Sequence, residues 1–119
     1  MKKKSAGFQN ETLVVSGGKG KVTVAMGVIK RAALSLRALD NPLREKLLRL
    51  IESSGKIMVS EIYGKLKIEQ SVASSQLGIL RRANVVNTHR DGRTIYYSIN
   101  GKRIGEIVKL ASALSGESN

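Results

Sequence analysis

The chain has 119 residues, 41% hydrophobic and 25% charged, with 21 Lys and Arg against 9 Asp and Glu and a net charge of +12. Such a length suits a single domain with one modest core, and no stretch approaches the roughly 18 apolar residues that a membrane span needs. The lack of cysteine excludes disulfides, thiolate metal sites and thiol redox chemistry.

Residues 1–10 are polar and Lys-rich and are expected to be disordered. Lys2-Lys3-Lys4 could open a signal peptide. The nearest apolar run, Val22 to Ile29, is short, contains Thr23 and Gly27, and leads into Lys30-Arg31. No export signal is read, so a cytoplasmic protein is expected. Residues 12–25, TLVVSGGKGKVTVA, place two β-prone runs around Gly17-Gly18-Lys19-Gly20, which allows a hairpin or an extended arm. A phosphate-binding loop fails here, because Gly20-Lys21 is followed by Val22 and position 15 is valine. The expectation is a flexible basic arm over 1–25 ahead of one domain over 26–119.

From Val28 the apolar period changes. Val28, Ile29, Ala32, Ala33, Leu36 and Leu39 recur at helical steps. Asn41 then suits the cap of a second helix, and Pro42 its first position, where a missing N–H costs nothing. Leu43, Leu47, Leu50 and Ile51 face inward along that helix, and Gly55 is its expected stop. Ser60 is a candidate cap for a short helix to about Leu66, with a tight turn near Lys67-Ile68. Another helix runs from about Gln70 to Ala83, ending where Asn84 can adopt the left-handed conformation. Two short β runs follow, joined by His89-Arg90-Asp91-Gly92-Arg93, with Asp91-Gly92 a signal for a tight two-residue turn. A last helix, about Lys102 to Leu114, has Ile104, Ile107, Val108, Ala111 and Leu114 on one stripe, to pack on the first helix or on a second subunit. The predicted fold is mainly α, a winged helix-turn-helix of about five helices and a two-stranded wing.

The charge is unevenly spread. Residues 81–103 carry Arg81, Arg82, Arg90, Arg93, Lys102 and Arg103 against Asp91 alone, whereas residues 57–80 balance Lys65 and Lys67 against Glu61 and Glu69. A pI near 10.4 is the footprint of a nucleic-acid binder, although charge also serves solubility. On the helix starting at Gln70, residues Gln70, Ser74, Gly78, Ser71 and Ser75 share an arc of roughly 140° at helical periodicity. Ala73, Leu77 and Leu80 lie on the core side. That arc has hydroxyls, an amide and a glycine but no charge, an odd surface for a helix that is merely solvated. It suits approach to base edges: Gln pairs with adenine, and Ser donates or accepts at any base. Phosphate contacts would come from the flanks, from Arg81, Arg82, Arg90 and Arg93.

The segments LRALDNPLREKLLRLI, MVSEIYGKLKIEQSVASSQLGILRRANVV and HRDGRTIYYSIN together resemble the ArsR/SmtB family of bacterial winged-helix repressors, in the family's order and spacing. The resemblance covers roughly residues 30–115 and leaves out the first 25 or so. It implies a homodimer on a near-palindromic double-stranded DNA operator, blocking transcription. The family's DNA contacts map onto Gln70, Ser71, Ser74 and Ser75 and, in the wing, onto Arg90 and Arg93. Gln76 is a fifth candidate DNA contact on this helix; it stands where many members have histidine, a change that could alter a contact without changing the mode. The implied dimer joins through the first and last helices, here Ile29, Ala33, Leu36, Ile104, Ile107, Val108, Ala111 and Leu114.

The family's usual metal sites are not matched. Where many members read Cys-Val-Cys, this chain has Met58-Val59-Ser60, and a thioether and a hydroxyl cannot replace soft thiolates. The last helix offers Glu106 alone, and His89 is isolated. No metal, no cofactor and no catalytic set are therefore expected, and any effector is unidentified. Tyr96 and Tyr97 alternate along a strand as wing scaffolding, one inward and one outward; Tyr63 is expected in the core. Two other readings remain: a winged-helix adaptor for a protein or small effector with little DNA affinity, and an RNA-binding module, which 3% aromatic content disfavours.

Overall fold

A computed structural model describes residues 12–116. The expectations for residues 1–10, including the Lys2-Lys3-Lys4 run, lie outside the described residues. The chain divides into two compact units, 1–34 and 35–119. In the first, β1 (Thr12–Gly17) and β2 (Gly20–Ala25) form an antiparallel hairpin that leads directly into α1 (Met26–Leu39). Leu13 pairs with Val24 and Val15 with Val22, so strand alternation gathers four aliphatic side chains on one face.

The second unit contains the last residues of α1, then α2 (Pro42–Ser54), β3 (Ile57–Met58), α3 (Val59–Leu66), α4 (Gln70–Arg82), β4 (Val86–Asp91), β5 (Thr94–Ile99) and α5 (Gly101–Ser115). Short-range chemistry sets most of these boundaries. The Asn41 side chain accepts hydrogen bonds from the N–H groups of Leu43 and Arg44, both at 3.0 Å, and Pro42 opens the helix as expected. Gly55 ends α2 with φ 76°. Asn84 takes φ 65° after α4, as its position in the sequence required. Lys67 closes α3 in the left-handed region, φ 56° and ψ 47°, although lysine carries no sequence signal for that conformation.

The start of α3 differs from expectation. Ser60 lies inside the helix, and the cap position is Met58. Ile57 and Met58 are held in a strand paired with Tyr97 and Tyr96, so the chain enters α3 directly from the sheet. Glu61 Oε1, on the third helical residue, accepts the Met58 N–H at 3.3 Å, whereas a capping serine would have accepted an N–H from the first turn of the helix.

Packing follows the apolar periods. Leu47 and Ile51 of α2, Ile62 of α3, Leu77 and Leu80 of α4 and Val85 before the wing are all at most 1% exposed. Ile57, Val86 and Ile107 complete the same cluster, with Tyr97 and Ile99 packed against it. The sheet order is β3-β5-β4, so the wing hairpin gains a third, two-residue strand at its base. Asn100 joins wing, helix and core. Its Oδ1 accepts the Arg103 N–H at 3.2 Å to cap α5, and its Nδ2 donates to the Asn84 carbonyl at 2.9 Å. Among the described residues no helix is long and apolar enough to cross a membrane.

Candidate nucleic-acid interface

The helix-turn-helix consists of α3, a three-residue turn at 67–69, and α4. Ala73, Leu77 and Leu80 bury one side of α4 to within 1% exposure, which fixes the opposite side outward. Gln70, Ser71, Ser74 and Ser75 are all exposed there. The structure thus brings together four neutral hydrogen-bonding side chains over the first turn and a half of one helix. Gln76, the fifth predicted member, does not join them. It is half-buried, and its Oε1 accepts a 2.9 Å bond from Arg44 Nη1.

Gly78 continues the neutral arc and has a second consequence. A Cβ built there would lie 3.4 Å from Nη1 of Arg82. The Arg82 side chain therefore folds back one helical turn and lies along α4 instead of extending past its end. Arg81 and Arg82 are both exposed, in the last turn of the helix.

The wing turn sits one residue later than the Asp91-Gly92 signal suggested. Asp91 pairs with Thr94, which leaves Gly92-Arg93 as the two-residue link. Gly92 has φ 67°, and Arg93 is not in the positive-φ region. Glycine at the first central position needs only one such residue, whereas Asp-Gly in the centre of a type I′ turn needs two. Arg90 and Arg93 are consequently not side by side: Arg90 pairs with Ile95, and Arg93 is at the tip itself. Both are exposed, with Arg90 Nη1 3.5 Å from the Gly92 carbonyl.

Two basic residues play parts that sequence reasoning missed. Lys56 Nζ lies 4.8 Å from the centroid of the Tyr96 ring, on the face where Tyr96 pairs with His89. This adds an exposed cation beside the wing, held by an aromatic ring. Arg103 is instead spent internally. Its Nε donates to the Ala83 carbonyl at 3.2 Å and its Nη2 to Ser35 Oγ at 3.1 Å, and Nη1 lies 3.6 Å from Glu106. Tyr97 packs against the core, as the alternation of the two tyrosines required.

The predicted dimerisation residues fall into three groups. Ile29, Val108 and Leu114 are 53%, 45% and 70% exposed; Ala33, Leu36, Ile104 and Ala111 are half-buried. Ile107, at 5%, belongs to the chain's own core. Among the described residues no three His, Cys, Asp or Glu side chains cluster in a way that could hold a metal ion.

No family model matches the chain. It is 33% identical over 85 residues to an uncharacterized HTH-type transcriptional regulator of Methanocaldococcus jannaschii, which covers 71% of this chain and 96% of that protein. The crystal structure of the transcriptional repressor PagR of Bacillus anthracis is 32% identical, with a TM-score of 0.57 over 70% of this chain and 95% of that one. An ArsR-like transcriptional regulator from a Rhodococcus species shares the fold at a TM-score of 0.65, with 18% identity over 76% of this chain and 84% of that one. The chain belongs to the ArsR/SmtB family. Like its relatives, this ArsR-family chain is a winged helix-turn-helix, DNA-binding transcriptional regulator and not an enzyme.

Proposed function

We propose that this ArsR-family regulator acts as a homodimeric repressor that lays α4 of each protomer in the major groove of a near-palindromic operator. Gln70, Ser71, Ser74 and Ser75 read base edges, and Arg81, Arg82, Arg90 and Arg93 meet phosphates on either side, joined by Lys56. Residues 26–119 form the DNA-binding domain, and residues 1–25 precede it.

The observation that carries this reading is the separation of charge from the reading face. The exposed arc of α4 is neutral, while exposed arginines lie at its end and on the wing. Neutral groups distinguish bases by hydrogen bonding, and cations bind any phosphate.

Exposed aliphatic side chains on the terminal helices support a dimer. Val28, Ile29 and Leu34 on α1 and Val108, Leu110 and Leu114 on α5 are each more than 40% exposed. Beside α5 lies an apolar groove of about 650 Å³ lined by Leu39, Leu48, Ile99, Ile104 and Val108, with Glu45, Arg49 and Glu52 at its rim. Surface of this kind is costly to leave in water and is a normal mark of an interface.

Affinity selection from a pool of random duplexes tests the proposal. A symmetric dimer should recover an inverted repeat whose half-sites are about 10 base pairs apart, one turn of B-DNA. Recovery of a single unrepeated motif would count against the symmetric arrangement, and recovery of no motif against base reading.

A further inference from the structure

Gln76 differs from the four residues of the reading face in both direction and partner. At helical periodicity it stands about 100° round α4 from Ser75, towards the flank that carries Leu80. Its amide oxygen is engaged by Arg44, a donor-only guanidinium, which settles the orientation of the amide.

Arg44 itself is 8% exposed. Its Nε donates to the Ala38 carbonyl and its Nη2 to the Arg37 carbonyl, both at 2.9 Å. These are carbonyls of the last turn of α1, at the negative end of the helix dipole and without the usual partner four residues on, although that of Arg37 also accepts the Asp40 N–H at 3.1 Å. One guanidinium on α2 thus holds the end of α1 with two of its arms and α4 with the third. All three partners are neutral oxygens. A buried cation in this setting suffers when an acceptor is withdrawn and gains when the acceptor is made anionic.

We propose that Gln76 is a positioning residue: held by Arg44 through its amide oxygen, it sets the rotation of α4 about its own axis and does not itself touch DNA. The base-reading set is then Gln70, Ser71, Ser74 and Ser75. This rests on α4 being the DNA-reading helix. It deepens that assignment, because the angle at which the arc meets the bases depends on a bond made on the opposite flank.

Two substitutions with opposite electrostatic consequences test the role, using the full chain and a duplex selected by the wild-type protein from a random pool. Gln76→Leu keeps the size and removes the acceptor; its affinity should fall about tenfold, the usual consequence of losing one charge-assisted bond. Gln76→Glu keeps the acceptor and makes it an ion pair, so it should bind within about threefold of wild type despite its added negative charge.

A side chain that touched DNA would give the reverse order, because a carboxylate meets an acceptor-rich groove and its phosphates. Gln76→Glu binding more weakly than Gln76→Leu would therefore overturn the positioning role. Thermal unfolding provides a DNA-independent readout: Gln76→Leu should melt below wild type and Gln76→Glu at or above it. The opposite order would equally overturn the Arg44–Gln76 role. Should the leucine variant fail to fold, near-wild-type binding by the glutamate variant still supports the role and its loss still overturns it. Wild-type protein that retains no duplex from the pool would instead defeat the assignment of α4 as the reading helix, with the melting order unaffected.

Discussion

Ser74→Glu is expected to abolish specific duplex binding while leaving the fold intact. Ser74 is exposed near the middle of the neutral arc, between Gln70 and Gly78 on the same helical face. A glutamate there would carry a full negative charge into a groove walled by phosphates, and like-charge juxtaposition at an interface costs several kcal/mol. A loss of about 3 kcal/mol lowers affinity on the order of 100-fold. The helix itself should not suffer, because glutamate is a better helix former than serine. Fluorescence anisotropy with the selected duplex would measure the loss, and far-ultraviolet circular dichroism would show an unchanged helix content. Binding within a fewfold of wild type would remove Ser74 from the reading face.

Leu80→Ala should act through the other side of the same helix. Leu80 is fully buried in the cluster that includes Leu47, Ile51 and Ile62. Removing its branched end deletes buried methyl groups and leaves a cavity, which together cost about 2–5 kcal/mol. Domains of this size are stable by only about 5–15 kcal/mol. A single substitution would thus remove a large part of the total and lower the melting temperature by roughly 10 °C or more. Chemical denaturation, read at fixed protein concentration because dimerisation would add to stability, should show a lower midpoint with little change in slope. DNA binding by the folded fraction should persist, in contrast to Ser74→Glu. The two variants separate what α4 does for the fold from what it presents to a ligand.

Much of this arrangement was legible in the sequence because its causes are local. The apolar period of α4 assigns its buried and exposed sides without reference to any other element. Asn41-Pro42 and Asn84 mark helix ends by their own chemistry, and the structure places boundaries at both. The family's segments also lie in order along the chain, so the winged helix-turn-helix is legible in the sequence alone.

Features that depend on long-range partners were not legible. Strand register decided the wing turn, and pairing of Asp91 with Thr94 moved the link by one residue. The short strand β3 has no alternation to reveal it and exists because Tyr96 and Tyr97 lie opposite. Arg44 is of a residue type that ordinarily lies exposed. It is buried because the end of α1 and Gln76 offer it oxygens 6 and 32 residues away in sequence. Arg103 belongs to the flanking positive charge by position in the sequence alone; its bonds to Ala83 and Ser35 turn it inward. Gln76 did carry one signal, its angular distance from the Ser75 edge of the arc, and that distance agrees with its engagement by Arg44.

The salt dependence of duplex binding tests the division of labour between reading face and flanking cations most directly. With about ten phosphate contacts, five from each protomer, log affinity should fall against log salt with a slope near −9, since each contact contributes about −0.9. Arg93→Ala, at the exposed tip of the wing, should make that slope shallower and weaken all sequences alike, leaving the base preference unchanged. A wild-type slope near zero on the selected duplex would contradict phosphate anchoring by the wing and the end of α4.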